Sequence, residues 1–421
     1  MNIPACLIFI LLILLASAGL ALIHQGLGRS RSAAHAMLAT LCAVSITAIV
    51  FVLVGSAWAG YMGGLSHNVH IAGRTWNWLG AEPFFAASFL KTSTAALVLA
   101  LQVFAVGLAS LIPISAGTDR WRLGAICASS AALAAVAYPV FSHWVWSSGW
   151  LAQLPTLFGL PPFVDVGGAA TVQVIGGLAA LSVAWILGPR KGKYADGMAT
   201  AIPGHNIVQV LFGCLLALVG WIGLEAAAST LFYAVAPLQL VAIAVDAMIS
   251  AGSGFLAALL ITQLRYRKPD ASLSANGWIA GLVAGSAACG QMSPLATVFV
   301  GLVAGSLVTF AVEALELKLL VDDPGGAISV HLGAGLWGIL ALGLFGPTTG
   351  SRAAVILSQL IGIATLLGVM LPLIHALNVV LNRVIPFRVD RDGDWQGMDI
   401  RELGAGAYPE FVIHADEFVP R

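Results

Sequence analysis

The chain has 421 residues, of which 59% are hydrophobic and only 9% are charged, and its formal net charge is zero. A soluble globular protein would carry about 25% charged residues. Repeated apolar runs of roughly 18 residues or more can each cross a ~30 Å hydrocarbon core. These features exclude a soluble domain and predict an all-α polytopic membrane protein. The alternating segments of about ten residues that mark a membrane β-barrel are absent. The zero net charge gives no reason to expect nucleic acid as a partner.

The apolar pattern predicts eleven membrane-spanning helices. The first apolar run has an alternative interpretation as a secretory signal peptide. It lacks a positively charged start and is long for such a segment, so we interpret it as the first span. The predicted spans are residues 3–23, 35–61, 88–114, 123–147, 167–188, 207–228, 238–264, 273–290, 293–315, 327–346 and 353–384.

The basic residues predict how the spans are oriented. Alternate loops and the tail carry nearly all of the Arg and Lys, whereas the opposite loops hold little beyond Arg74 and Arg352. Basic loops stay in the cytoplasm, so the N-terminus is predicted outside and the C-terminus inside a cell (inner or plasma) membrane. The predicted cytoplasmic set is Arg29, Arg31, Arg120, Arg122, Arg190, Lys191, Lys193, Arg265, Arg267, Lys268, Lys318, Arg388, Arg391, Arg401 and Arg421.

One short stretch occurs twice in the chain. DVGGAATVQ runs from Asp165 to Gln173, and DPGGAISVH runs from Asp323 to His331. The first copy opens predicted span five and the second opens span ten, which run in opposite directions. Eight residues of helix cover about 12 Å, close to half of a ~30 Å core. Both polar end residues are therefore predicted to approach the membrane midplane from opposite sides, as in a transport pathway.

The two copies also predict the domain organisation. We expect one transmembrane domain over residues 1–384, built from inverted repeats at about 1–188 and 207–346. A final helix at 353–384 follows the repeats. Residues 385–421 are polar and mixed in charge, and they are predicted to form a cytoplasmic tail.

Each polar residue of the duplicated stretch has a structural alternative. His331 is either a satisfied core residue or, because an ionisable group is costly at the midplane, part of a pathway. Gln173 either joins two helices or lines the same pathway. Asp165 is interpreted as a helix cap, as a carboxylate aimed at a cation, or as both. Asp323 precedes a proline, which is typical of a helix start, and we interpret it as structural.

These motifs resemble a known family. VDDPGGAISVHLGAGLWG and DVGGAATVQVIGG closely resemble the tenth- and fifth-helix signatures of the Amt/Mep/Rh ammonium transporters. GLGRSR, GAEP, SHWVW, PGHN and GWIG fall in the family order. ANGWIAGLVAGSAACGQMSP is similar to the eighth-helix region, and DWQGMDIRELGAGAY resembles the cytoplasmic tail. The resemblance covers essentially the whole chain and agrees with the span count and orientation.

The resemblance implies a homotrimer in the lipid bilayer, with one narrow pore in each protomer. Ammonium is recruited at an outer vestibule, loses a proton and crosses as ammonia past a pair of histidines. An aromatic face can attract the cation at the mouth, and a neutral molecule enters a dry pore at far lower cost than a cation. The resemblance also implies that the tail contacts other protomers and a PII-type regulator.

The resemblance assigns roles to four residues of this chain. Trp146 matches the vestibule tryptophan, and Asp165 matches the aspartate of the fifth helix. His331 matches the second pore histidine. Trp221 matches the tryptophan that lines the pore below the gate.

The chain departs from the family at the midplane and in the tail. Gln173 stands in place of the first pore histidine; it can hydrogen-bond His331 or ammonia, but it cannot share a proton along a histidine pair. In the tail, RELGAGAY replaces a motif that more usually contains a histidine and a glutamate. The altered tail leaves the regulator open.

The chain also departs from the family around the gate. One gating phenylalanine falls on Leu224, and the other falls on Ala105 or, with a one-residue shift, on Phe104. Ala228 takes the place of the vestibule serine, and Glu225 takes that of the asparagine after the second gate. A wider, less aromatic gate with an added carboxylate favours easier entry of a hydrated cation.

Three functions remain open from the sequence. The leading hypothesis is a channel-like transporter for ammonium or ammonia. The second is an ammonium sensor with little conduction, and the third is a pore for another substrate, such as methylamine, another small neutral solute or a monovalent cation. An enzyme is not expected, because no nucleophile–base pair, nucleotide loop or metal-ligand spacing occurs. No cofactor and no metal site are predicted.

Overall fold

The structure, a computed structural model, describes residues 2–195, 198–348 and 350–408. The predicted tail segment after residue 408 lies outside these residues. Within them, ten helices are long and apolar enough to cross a membrane. We label the long helices α1 (Ile3–Leu27), α2 (Ser30–Ala59), α3 (Ser93–Gly117), α4 (Leu123–Trp146), α5 (Ala169–Leu187), α6 (Ile207–Phe232), α7 (Pro237–Tyr266), α8 (Ala271–Ser286), α9 (Pro294–Leu317), α10 (Ile328–Phe345) and α11 (Arg352–Val384).

Helix α8 ends earlier than its predicted span. It has 16 residues, or about 24 Å of helix, and it stops at Ser286 instead of reaching residue 290. Turns follow it, and Gly290 adopts a left-handed conformation with φ of 68°. Nearly all of α8 is buried among other helices. A count of eleven spans therefore stays a prediction, because α8 alone is shorter than a ~30 Å core.

Other helices also begin or end at residues that differ from the predicted bounds. Helix α1 continues four residues beyond the predicted end at residue 23, so His24 and Gln25 are helical and buried. Helix α3 starts five residues later than predicted. The side chain of Thr92 accepts a hydrogen bond from the Ala95 amide there (3.2 Å), as a helix cap does.

Small residues bring α7, α8 and α9 into backbone contact. A Cβ atom at Gly281 would clash with the backbone oxygen of Ser250, and one at Gly305 would clash with that of Gly254. The chain has Gly-xxx-Gly pairs at 281/285 and 301/305, and such pairs allow close helix packing.

A β-hairpin covers one end of α4. Strands β1 (Ser66–Ile71) and β2 (Arg74–Gly80) pair antiparallel, in a segment that the span prediction treats as a loop. His143 Nε2 lies 2.8 Å from the side-chain oxygen of Asn77 in β2, and the Trp144 indole donates to the Trp78 carbonyl (2.7 Å). The hairpin therefore holds the helix end that leads to Trp146. Two short strands, β3 (Tyr194–Ala195) and β4 (Met198–Ala199), also pair.

The tail folds back onto the helix ends that are predicted to be cytoplasmic. Its two short helical segments are Arg391–Gln396 and Asp399–Leu403. The carboxylate of Asp399 accepts from the amides of Ala34 (3.2 Å) and His35 (2.8 Å), at the start of α2. The tail thus supplies capping acceptors to another helix.

Candidate substrate pathway

The two copies of the duplicated stretch have the same local geometry. Each helix opens with a wide π-helical turn, Ala169–Val174 in α5 and Ile328–Gly333 in α10. The second glycine of each copy is left-handed: φ is 89° at Gly168 and 72° at Gly326. Glycine adopts this conformation without the steric cost that other residues meet. Both turns are of the kind often found at functional sites.

Each copy also begins with an aspartate that caps its own helix. One oxygen of Asp165, Oδ2, accepts from the amides of Ala170 (3.1 Å) and Thr171 (2.8 Å) and from the Thr171 hydroxyl (2.8 Å). The two oxygens of Asp323 accept from the amides of Ala327 (3.1 Å) and Ile328 (2.7 Å). The other oxygen of Asp165, Oδ1, is buried and has no hydrogen-bond partner among the described residues.

Gln173 and His331 meet at the centre of the molecule. His331 Nδ1 lies 2.9 Å from Gln173 Oε1, and both side chains are buried. With the amide oriented in this way, Nδ1 donates, and Nε2 of a neutral ring is an acceptor. The Gln173 amide nitrogen is buried and has no partner within the described residues. The pair therefore offers a donor and an acceptor to a small polar molecule.

Trp221 links this pair to Glu225. The Trp221 and His331 rings stack with centroids 6.5 Å apart and planes 27° apart. The Trp221 indole donates to the Ser286 hydroxyl (3.0 Å), which donates to Glu225 Oε1 (2.7 Å). A continuous set of contacts thus runs from the midplane pair to a buried carboxylate on α6.

Trp146 is buried instead of standing open at a mouth. Its ring stacks on Phe232 with centroids 4.7 Å apart and planes 14° apart, so one face is covered. Its indole donates to the Asp165 carbonyl (2.9 Å), and the Asp165 amide donates to the Tyr233 hydroxyl (3.0 Å). The sequence analysis missed Phe232 and Tyr233. Their position at the end of an apolar helix, where aromatic residues gather in membrane proteins, was the available signal.

The predicted gate residues lie in the helical core. Leu224, Ala228 and Ala105 are fully buried, whereas Phe104 is partly buried and packs against the core. Gln102, one turn earlier in α3, is buried, and neither atom of its amide group has a partner among the residues described. Both candidate positions for the other gating phenylalanine, Phe104 and Ala105, thus lie on α3 two and three residues after this amide.

Sequence analysis also missed polar residues at the end of α1. His24 is buried, and its Nδ1 atom has no hydrogen-bond partner among the described residues. Next to it, Gln25 Nε2 lies 3.1 Å from His205 Nε2 and donates to the Tyr408 hydroxyl (3.2 Å). The span was predicted to end at residue 23, which assigned these residues to a loop. The apolar run GLALI leading directly into them was a usable signal.

A network of buried ion pairs lies beside the second copy. Arg190 binds both oxygens of Asp322 (2.9 and 3.0 Å) and one of Asp119 (3.1 Å), and the Arg120 guanidinium donates to the Asp322 carbonyl (2.9 Å). Burial alone would raise the pKa of Asp322, but Arg120 and Arg190 outweigh it and lower that pKa to about 2. Asp322 is therefore a fully compensated carboxylate.

No group of three or more metal-ligating side chains occurs among the residues that the structure describes. The donor atoms along α5, α6 and α10 are instead single carboxylates, an amide and an imidazole. Such an arrangement suits hydrogen bonding to a small polar molecule.

Comparison with known proteins identifies the family. The model of the Ammonium Transporter Family matches residues 5–408. The chain belongs to this ammonium transporter family. The family resemblance predicted from the sequence is thus confirmed. Because the family consists of transporters, the expectation that this chain is not an enzyme is confirmed as well.

Individual relatives agree with this assignment. The chain is 33% identical to "Ammonium transporter Amt2" of Archaeoglobus fulgidus, over 96% of this chain and 88% of the relative. It is 28% identical to "Ammonium transporter" of Bacillus subtilis, over 95% and 96% of the two chains.

Solved structures share the fold. A protein described as "Sensor Amt Protein" matches with a TM-score of 0.87 and 25% identity over 96% of this chain and 98% of its own. Saccharomyces cerevisiae Mep2 matches with a TM-score of 0.77 and 22% identity over 93% and 88%. The prediction of an all-α polytopic membrane protein is confirmed.

Proposed function

We propose that this family member moves ammonium or ammonia across the cell membrane along a path through each protomer. In this proposal the cation reaches the Trp146 and Asp165 end of the path, loses a proton, and passes as ammonia between Gln173 and His331. The observation that carries the proposal is the Gln173–His331 contact of 2.9 Å, which leaves a buried amide donor without a partner among the residues that the structure describes. Ammonia both donates and accepts hydrogen bonds, so it suits this pair.

The role of Asp165 follows from its unpartnered oxygen. Its Oδ2 is occupied by the helix start, while Oδ1 has no partner among the described residues. A buried carboxylate oxygen stabilises a nearby cation strongly, because the surroundings screen charge poorly. Trp146 and Phe232 form an aromatic wall beside this carboxylate. In the proposal, Ala228 belongs to the outer vestibule, and Leu224 and the Phe104/Ala105 region form the gate between the vestibule and the midplane pair.

The remaining parts of the proposal concern assembly and topology. We propose a homotrimer with inverted repeats over residues 1–188 and 207–346, an outer N-terminus and a cytoplasmic tail. The matching geometry of the two copies supports the repeat. The contacts of Asp399 with the start of α2 support a tail that is held on the same side of the membrane as that helix end. A PII-type regulator remains a proposal for this surface.

The other two functions have less support. The sequence relatives are named transporters, and they do not favour the sensor alternative. Altered selectivity has one specific observation in its favour, the buried Glu225 with an unpartnered oxygen.

Current measurements on purified protein in liposomes test the proposed function. A solid-supported membrane records charge movement after an ammonium jump and after a matched potassium jump. We expect an ammonium response that empty liposomes lack and that His331→Ala abolishes, with little response to potassium. Equal responses to both cations would support relaxed selectivity. Passage as ammonia alone moves no net charge, so an internal pH dye in the same liposomes reports the proton that each entering ammonia takes up. The absence of both an ammonium current and an internal pH rise beyond that of empty liposomes, with folded wild-type protein present, would contradict transport.

A further inference from the structure

Glu225 is a buried carboxylate without a basic partner. It is 1% exposed and forms no salt bridge among the described residues. Its Oε1 accepts from Ser286 (2.7 Å), whereas Oε2 has no partner in the same part of the chain. Burying a carboxylate without compensation is strongly unfavourable. The site is therefore completed by either a proton or a cation.

The surroundings position this carboxylate closely. A Cβ atom on Gly167 would lie 2.8 Å from Glu225 Cγ and 2.8 Å from the Ser286 carbonyl oxygen, so only glycine leaves room for the side chain. The Gly167 amide donates to that same carbonyl (2.9 Å). Gly167 belongs to the duplicated stretch and lies two residues from Asp165. Glu225 is thus fixed against the stretch that carries the other unpartnered carboxylate oxygen.

Ser286 connects Glu225 with the proposed pathway. Its hydroxyl accepts the Trp221 indole hydrogen and lies within donating distance of both Glu225 Oε1 (2.7 Å) and the Leu282 carbonyl (2.8 Å). Trp221 and Glu225 are four residues apart on α6, so they share one face of that helix. Trp221 stacks on His331. The carboxylate therefore lies one helical turn from the midplane pair, on the side of Asp165.

We propose that Glu225 binds a monovalent cation of the ammonium class inside the membrane, with Ser286 as its positioning residue. This inference deepens the proposed function and rests on it. Ammonium and methylammonium present directed N–H donors, and one strong acceptor oxygen satisfies such a donor. Potassium requires several oxygens to replace its hydration shell. The small number of free oxygens at this site thus favours ammonium over potassium.

Binding can be measured without transport. The melting temperature of the detergent-purified protein is followed in ammonium chloride, potassium chloride and sodium chloride at equal ionic strength, because a ligand of the folded state raises Tm. Glu225→Gln keeps the size of the side chain and an oxygen acceptor for Ser286, but it removes the charge. We expect the apparent ammonium affinity to fall at least about tenfold, as for a lost charged hydrogen bond.

Two further variants frame this test. Glu313→Gln removes a carboxylate from α9, where it pairs with the Arg265 guanidinium at the exposed end of both helices. It is expected to bind ammonium as wild type does. Ser286→Ala removes only the positioning hydroxyl and is expected to weaken ammonium binding by a few-fold while Glu225 keeps its charge.

The outcomes separate this inference from the proposed function. If Glu225→Gln binds ammonium with the same apparent affinity as the wild-type protein, the inference is overturned, whatever the liposome currents show. If Glu225→Gln does not fold, unchanged ammonium affinity and selectivity in Ser286→Ala overturn it. Absent ammonium currents together with a Glu225-dependent Tm shift reject transport and support the binding site. No ammonium-dependent Tm shift in wild-type protein overturns the site.

Discussion

The two copies of the duplicated stretch share a backbone and differ in their electrostatic surroundings. Both use an aspartate to cap a helix that opens with a π turn. Asp165 keeps one oxygen without a partner among the described residues, whereas both oxygens of Asp323 serve the helix start. Asp322, the residue before Asp323, is neutralised by its ion pair with Arg190. The aspartate of the first copy thus retains capacity for a positive ligand, and the aspartate of the second copy only caps its helix.

The two copies thus share a structural role, the capping of a helix, but differ in the chemical role of the capping aspartate. Removing the carboxylate from either copy removes a helix cap, which is worth about 0.5–2 kcal/mol. Only one copy also presents a free buried oxygen. The four predictions below test this difference, starting with the largest expected effect.

Removing the free carboxylate gives the largest expected effect. Asp165→Ala deletes the oxygen that is proposed to hold the cation, so ammonium-dependent uptake should fall by at least about 100-fold, the effect of losing a charged interaction in a dry site. Radiolabelled methylammonium uptake into liposomes measures this. Near wild-type uptake by this variant would remove Asp165 from the mechanism.

Acid should weaken the ion-pair network beside the other copy. The pKa of Asp322 lies at about 2 in the fold, against ~3.9 in an unfolded chain. A lowered folded-state pKa means that the network stabilises the fold above the unfolded value and that this stability is lost as the pH falls through the folded value. Between about pH 5 and pH 1 we expect a loss of about 2–3 kcal/mol from this group.

The pH dependence of thermal unfolding in detergent checks this prediction. Asp322→Asn removes the titrating group and should flatten this part of the profile while lowering stability at neutral pH. An identical slope in the variant and the wild type would show that other groups cause the acid sensitivity.

Gln173→His tests the midplane pair. The variant introduces a second imidazole beside His331, so a proton can be shared between the two rings. We expect transport to become more like that of the rest of the family, with about a tenfold change in the ratio of ammonium to potassium response. Currents recorded at several pH values measure it. Unchanged rate and selectivity would mean that this position does not limit the protein.

The tail gives the smallest expected effect. Tyr408→Phe removes the hydroxyl that meets Gln25 and His205, at 3.2 Å in each case. Losing such bonds is worth about 1 kcal/mol each, so hydrogen exchange in residues 399–408 should accelerate roughly fivefold or more. The contacts of Asp399 with Ala34 and His35 are untouched in this variant. Unchanged exchange across this segment would show that Tyr408 does not hold the tail.

Much of the architecture follows from local rules. Apolar length predicted all but one of the spans well, because backbone polar groups in lipid must be satisfied within helices. It misjudged α8, since a helix surrounded by protein need not match the bilayer thickness. It also missed His24 and Gln25, because polar residues at a helix end resemble a loop when their tertiary partners are unknown.

The chemistry of the site was only partly predictable. The duplicated stretch predicted that Gln173 and His331 approach each other, because a repeated sequence on two antiparallel helices indicates a symmetric arrangement. They could not show which oxygens of Asp165 and Glu225 remain free, since this depends on partners such as Thr171 and Ser286 that are distant from the motif or hidden within it. Phe232 over Trp146 is a tertiary contact of the same kind.

The central claim is that the aspartate of the first copy, Asp165, handles the cation and that the aspartate of the second copy, Asp323, does not. The most direct measurement records ammonium-jump currents from Asp165→Ala and Asp323→Ala side by side, normalised to folded protein in the liposomes. Each variant loses one capping aspartate. The account predicts that Asp165→Ala is silent, while Asp323→Ala keeps its current within about threefold of wild type, because it loses only a structural cap. Equal loss in both variants, or a larger loss in Asp323→Ala, would contradict it.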